Sequence, residues 1–190
     1  MKTRKGIKDM DLMDDFLFGE SMMNEETAIP MAKMIIERAT GLKVRNLEIT
    51  CQKMVNGLDT DYHGIRLDVS ASEIDIREKN AETVRVYDIE PNNGSMKELP
   101  RRDRYYQSLI DVRLLEAGTD YYKLPELWSI WILPNDPFGG NRMLYTVKNV
   151  VEEMPEIEYN DGIKKIFLYT DGEIGGSRAL KNLLRYIRDT

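Results

Sequence analysis

Residues 64–92 constrain the fold most, because they read as two β-strands whose polar positions are carboxylates. Gly64–Ser72 alternates Ile65, Leu67, Val69 and Ala71 with Arg66, Asp68, Ser70 and Ser72. That period of two marks a strand with one face in a core. Thr83–Asn92 opens with β-branched residues and closes with Asp88, Glu90 and Asn92 at alternate positions, hence on one face. Pro91 has no N–H to offer a neighbouring strand, so regular pairing is expected to stop there. If the two strands are neighbours, Asp68 approaches Asp88 and Glu90. Carboxylates held together repel unless a proton, a base or a metal ion lies between them. Such oxygens suit a hard divalent cation that keeps part of its water shell. The competing structural reading is a solvated strand face in a chain that is 32% charged.

Periodicity and punctuation place the other elements. Residues 1–9 carry Lys2, Arg4, Lys5 and Lys8 and read as a flexible basic tail. A short helix is expected over Asp11–Met23, with Asp14 and Asp15 near its start, where the helix dipole favours acids. Ala28, Met31, Ala32, Ile35, Ile36 and Ala39 predict a helix capped by Thr27, with Pro30 in its first turn and Gly41 past its end. Val44–Val55 reads as a strand ended by an Asn56-Gly57 turn, and Glu73–Glu82 as a hairpin loop with solvated acids. Leu99–Glu116 predicts a helix stopped by Gly118, with Tyr106, Leu109, Ile110 and Leu114 on its buried face.

The first turns of that helix hold Arg101, Arg102 and Arg104, where the dipole is itself positive. They call for something negative. Either Glu98, Asp103 or the acidic strand ends supply it, or a DNA phosphate does. Leu127–Leu133 is nearly all apolar, as a central strand covered on both faces would be, and Trp128 and Trp131 read as core. Met143–Val147 and Lys164–Tyr169 are further short strands. Leu180, Leu183, Leu184 and Ile187 form a closing amphipathic helix capped by Ser177. The order predicts an α/β protein, with helices flanking a mixed sheet in one domain over residues 1–190.

Composition excludes several chemistries. At 190 residues and 42% hydrophobic the chain can bury one core. A net charge of −6 is wrong for a generally basic nucleic-acid binder, so any DNA contact needs a local patch. The single cysteine, Cys51, rules out an internal disulfide, reads as a buried inert thiol and suits a reducing, cytoplasmic setting. The single histidine, His63, supplies neither a His-based zinc site nor a Ser-His triad. No 18-residue apolar run predicts a membrane span, and the N-terminus lacks the apolar stretch of a signal peptide.

Asp68, followed 22 residues later by Glu90-Pro91-Asn92, resembles the PD-(D/E)XK nuclease pattern. With Leu12–Phe18, Arg66–Val69, Tyr87–Asn92 and Leu99–Gln107 in order, the chain is similar to the PD-(D/E)XK family transposases, also called recombination-promoting nucleases. The resemblance implies a restriction-endonuclease-like mixed β-sheet flanked by helices. It implies a DNA endonuclease that hydrolyses phosphodiester bonds in recombination or transposition, with a homodimer allowed and no membrane. Asp68, Glu90 and Asn92 would be catalytic. Asp68 and Glu90 would hold Mg²⁺ or Mn²⁺, with Asp88 or Asp15 as a further ligand. Arg101, Arg102 and Arg104 would meet DNA.

One position departs from the pattern. The last motif residue is normally Lys, commonly Gln in this family, and here it is Asn92, which gives hydrogen bonds but no charge. Three readings stay open. Arg102 or Lys97 supplies the missing charge, or the protein keeps a nuclease fold and binds DNA or a protein partner without cutting, or the acids decorate an unrelated α/β domain.

Overall fold

A computed structural model describes residues 24–56, 63–75 and 82–189, together with Met13, Phe18 and Met22. The tail over residues 1–9, Asp15, most of the helix expected over Asp11–Met23, and Gly57 of the expected turn lie outside the described residues. Helix α1 (Glu25–Thr40) starts one turn earlier than periodicity predicts. Its cap is Asn24, whose side chain accepts the Glu26 N–H at 3.0 Å, not Thr27, whose hydroxyl donates to the Asn24 carbonyl. Asn is a strong cap, and it places Glu25 and Glu26 in the first turn, where the dipole favours them. Pro30 therefore sits inside the helix and removes one backbone bond. Gly41, at φ +74°, ends α1 and donates to the Glu37 carbonyl.

Six strands form one mixed sheet in the order β1-β2-β3-β4-β6-β5. They are β1 (Leu47–Val55), β2 (Ile65–Asp75), β3 (Glu82–Pro91), β4 (Glu126–Leu133), β5 (Leu144–Val147) and β6 (Ile163–Tyr169). β1, β2 and β3 are successively antiparallel, β3-β4 and β4-β6 are parallel, and β5 pairs antiparallel at the edge. Helix α2 (Leu99–Leu114) joins β3 to its parallel neighbour β4, and α3 (Arg178–Asp189) follows β6, with Ser177 Oγ capping the Leu180 N–H.

Each face of the sheet has its own core. Val69, Tyr87, Ile89, Ile130 and Ile132 cluster with Ile35 and Ile36 of α1 and Leu183 and Leu184 of α3. On the opposite face Val86, Leu127, Trp131 and Leu133 cluster with Leu99, Tyr106, Leu109 and Ile110 of α2. The alternation in β2 predicts one wet face, yet Asp68 and Ser70 are buried along with Val69 and Ala71. The α2 layer lies over that second face, so β2 is covered on both sides. Among the described residues no helix is long and apolar enough to cross a membrane.

At both ends of the loop expected over Glu73–Glu82 the described residues are strand, and residues 76–81 lie outside the described residues. β2 runs to Asp75 with a register shift between Glu73 and Ile74, and β3 starts at Glu82. Glu73 is buried, not solvated. One of its oxygens accepts the Arg45 N–H at 3.1 Å, and the other accepts from the Arg85 guanidinium and the Tyr87 hydroxyl, each at 3.1 Å. Burial first, and then the Glu73 carboxylate, hold the Tyr87 hydroxyl well above the usual phenol range. Glu73→Ala strands these donors and is expected to lower the unfolding free energy by about 2–3 kcal/mol. Glu73→Gln, which keeps an acceptor, should lose less. Urea denaturation checks both, and equal losses would show that charge rather than acceptance matters.

Candidate functional site

The β2–β3 register ends at Val69 opposite Ile89, and its continuation sets Asp68 opposite Glu90. There the ladder gives way to a side chain. The Asp68 N–H donates to Glu90 Oε1 at 2.7 Å. On β1, Gln52 adopts a left-handed φ of +52°, and its amide donates to Asp68 Oδ1 at 3.2 Å. Across the parallel pair, Asp88 faces Ser129 and Glu90 faces Trp131. The break expected at Pro91 occurs on one side only. The Asn92 N–H still donates to the Ile132 carbonyl at 2.9 Å. The donor Pro91 lacks would point toward β2, where the ladder has already ended.

Helix α2 brings the cation. Arg102 donates to Tyr106 Oη at 3.0 Å, to Asn92 Oδ1 at 3.2 Å and to Glu90 Oε2 at 3.4 Å. Its guanidinium carbon lies 5.0 Å from the Tyr106 ring centre and 5.1 Å from that of Trp131, a cation–π clamp. The next residue, Asp103, fastens the helix. Its Oδ1 accepts from Ser129 Oγ at 2.5 Å and Trp131 Nε1 at 2.8 Å, and its Oδ2 accepts from Gln107 at 2.9 Å and lies 3.6 Å from Lys165 Nζ.

The Arg cluster thus divides. Arg102 turns inward to the acidic strand end. Arg101 and Arg104 are exposed and form no ion pair among the described residues. Lys97 is exposed as well, with its backbone N–H on Ser95. Sequence reasoning named Asp103 only as a possible neutraliser and missed Gln107, Ser129, Lys165 and Gln52. The Asp103–Gln107 spacing of four, on a face shared with Tyr106 and Ile110, was the available signal. Ser129, Lys165 and Gln52 carry no comparable mark. Two side readings also resolve. Cys51 is half-buried with its thiol on the Met22 carbonyl, and burial raises its pKa. His63 is exposed, and its carbonyl accepts from the Tyr105 hydroxyl.

Both Asp88 oxygens and Asn92 Nδ2 are buried with no hydrogen-bond partner among the described residues. Burial, reinforced by the negative charges of Asp103 and Asp68, pushes Asp88 up to about 8, against the pull of Glu90 and Arg102. Burial and the neighbouring Asp88 and Asp68 raise Glu90 well above the carboxylate range, while the Asp68 N–H and Arg102 pull it back. A proton held by this pair is therefore part of the folded state near neutral pH.

Among the described residues no group of three or more His, Cys, Asp or Glu is arranged to hold a metal ion. Asp68, Asp88 and Glu90 offer only oxygens, and the orphaned Asp88 carboxyl is the group a nearby positive charge would satisfy. A cavity of about 540 Å³ opens here, lined by Arg66, Asp68, Asn92, Gly94, Arg102 and Tyr106. A larger groove of about 880 Å³ between α1 and α3 holds none of these residues. No family model, curated protein or solved structure matches the chain. Its class rests on the fold, an α/β protein with a six-stranded mixed sheet flanked, among the described residues, by three helices.

A raised carboxyl pKa means that the folded state binds more protons than the unfolded one. Stability is then fully present below the unfolded pKa and is lost as pH rises through about 8. Urea midpoints should fall between about pH 4 and pH 8 in the parent protein. Asp88→Asn should flatten that fall and be at least as stable as the parent at its upper end. An undiminished slope in the variant would assign the protons to other groups.

Proposed function

We propose that the chain is a metal-dependent DNA endonuclease with a restriction-endonuclease-like fold, of the PD-(D/E)XK kind. The observation that carries this reading is Glu90 held between the backbone N–H of Asp68 on the adjacent strand and the Arg102 guanidinium, which also reaches Asn92. The cation missing from motif position 92 is supplied from helix α2. Asp68 and Glu90 would hold Mg²⁺ or Mn²⁺, with Asp88 beside them. Asp15 belongs to the ligand set the resemblance implies and lies outside the described residues. When bound, the ion lowers the pKa of a water and polarises the scissile phosphate.

The chain's own residues do the positioning. Asn92 Oδ1 anchors Arg102, while its Nδ2 is buried with no hydrogen-bond partner among the described residues. Tyr106 and Trp131 hold the guanidinium plane, and Asp103 holds the helix that carries it. Arg101 and Arg104 would meet the DNA backbone from the same helix start. Recombination or transposition is the proposed setting and the cytoplasm the proposed location, with a homodimer allowed.

A second reading is favoured by Asn92 and by the pairing of Glu90 with Arg102. In it the protein keeps the nuclease fold, no longer cuts, and binds DNA or a protein partner.

Nicking of supercoiled plasmid separates the two. The parent is expected to nick weakly, better with Mn²⁺ than with Mg²⁺, and Asp68→Ala to be inactive. Arg102→Ala should lose about three powers of ten in rate, the cost of one missing positive charge at the transition state. Asn92→Lys in the Arg102→Ala background should recover part of that loss by returning the charge to the strand. If the parent fails to cut DNA with any divalent metal, the second reading stands. Binding offers an independent check. Arg101→Ala and Arg104→Ala should each reduce the slope of log affinity against log salt by about one. Unchanged slopes would remove these residues from the DNA surface.

A further inference from the structure

We infer that the chain pairs with a second copy about a two-fold axis, the acidic segment 150–159 of each copy lying in the basic groove between α1 and α3 of the other. Two oppositely charged features, and their places along one strand, carry this. The first is the groove of about 880 Å³. Lys33, Arg38, Lys43 and Arg142 line it against one acid, Glu37, with Met34 and Leu144 among its apolar lining. Lys43 pairs with Glu37 at 3.2 Å, while Lys33, Arg38 and Arg142 form no ion pair among the described residues. In a chain of net charge −6 this groove is a local reversal of sign.

The second feature is the segment itself, which carries four glutamates and no Lys or Arg. Glu158 lies 3.9 Å from Lys164 Nζ, but Glu152, Glu153 and Glu156 are exposed with no ion pair among the described residues. Val150, Met154, Ile157 and Tyr159 stand 44–56% exposed among them. Apolar side chains exposed together mark an interaction surface. The segment holds its own shape. Val150 pairs with Glu158 in a β-bridge, and the Met154 and Ile157 N–H groups donate to the Val151 and Met154 carbonyls, each at 3.0 Å. Docking such a preformed segment costs little chain entropy.

Strand β5 relates the two features. It lies at the edge of the sheet, and among the described residues no strand pairs with its outer side. Arg142 and Leu144 join its first end to the groove, and the segment starts just past Val147 at its other end. Two copies set with these edges antiparallel about a two-fold axis bring each segment to the other's groove, the self-complementary contact that closes a dimer. A nucleic-acid backbone would meet the groove's cations but leave the apolar side chains of 150–159 uncovered. A second copy answers both.

The test is sedimentation equilibrium of the full chain over a range of concentrations, at low and at high salt. The wild type should pass from monomer to dimer and stop there, with a dissociation constant that rises about tenfold at high salt. Lys33→Glu with Arg142→Glu, and separately Glu152→Lys with Glu153→Lys, should each weaken the dimer about a hundredfold, because like charges then face each other. All four residues are exposed, so both variants are expected to fold. Mixing the two variants restores opposite charges at both contacts and should recover a one-to-one dimer within about tenfold of the wild-type affinity. The wild-type dimer and its salt response need no variant, so a variant that misfolds does not decide the matter. A wild type that stays monomeric at low salt, or that assembles beyond the dimer, overturns the inference. So do reversed variants that associate as the wild type does, or a mixture that fails to associate. If the wild type is monomeric and the groove variant loses affinity for duplex DNA, the groove belongs to a phosphate backbone instead.

Discussion

Glu90 is fully buried at the end of a central strand, and the cation beside it comes from a helix rather than from the sheet. Removing the partner of a buried charge costs about 3–5 kcal/mol, far more than an exposed pair is worth. The position of Arg102 is therefore a structural requirement as well as a chemical opportunity. It depends in turn on Asp103, whose two oxygens gather donors from β4, β6 and α2 and hold the helix against the sheet. Charge on β3 sets where α2 must lie, and Asp103 keeps it there.

Asp68, Asp88, Glu90 and Asp103 are all buried, and among the described residues Arg102 pairs with Glu90 and Lys165 with Asp103. Desolvation makes buried negative charge expensive, so it is met by protons, and Asp88 and Glu90 titrate far above their ordinary range. A domain with only packing to satisfy would gain by replacing these acids with apolar residues of similar volume. That Asp68 lines an open cavity together with Asn92 and Arg102 is what favours a functional reading over a structural one. Glu73 is the contrast. It too is buried and lines a cavity, of about 690 Å³, but Arg45, Arg85 and Tyr87 donate to both its oxygens, and it ties β2 to β3.

Much of the architecture was legible locally. Alternation in 84–90, the apolar run of β4, Gly41 and the 3–4 spacing of Ile35, Ile36, Leu180, Leu183 and Leu184 each reflect the period of the element that carries them. Alternation in 65–71 does not mark one face, because Ile65 and Leu67 join the core under α2 while Val69 and Ala71 join the opposite one. Asp68, Asp88, Glu90 and Arg102 were legible as candidates because charge at those positions conflicts with the burial and dipole expected there. The errors were also local in origin. Thr27 looked like a cap because Asn24 lay outside the apolar pattern. Glu73 looked solvated because acids between strands usually are. β2 looked half-wet because alternation reports one covered face and cannot report a helix placed over the other.

The sequence by itself determined the α/β element order, the strand periodicity that puts Asp88 and Glu90 on one face, and the uncharged side chain at Asn92. Each is a property of residues close together in the chain. The tertiary structure alone decided that Arg102, not Arg101, Arg104 or Lys97, reaches Glu90, and that Asp103 meets Ser129, Trp131 and Lys165. It also decided that Asp88 is left without a donor among the described residues. The reason is rotational. Neighbouring residues on a helix point about 100° apart, so which Arg faces the sheet depends on how the helix is seated. That seating is set by contacts between residues far apart in the chain.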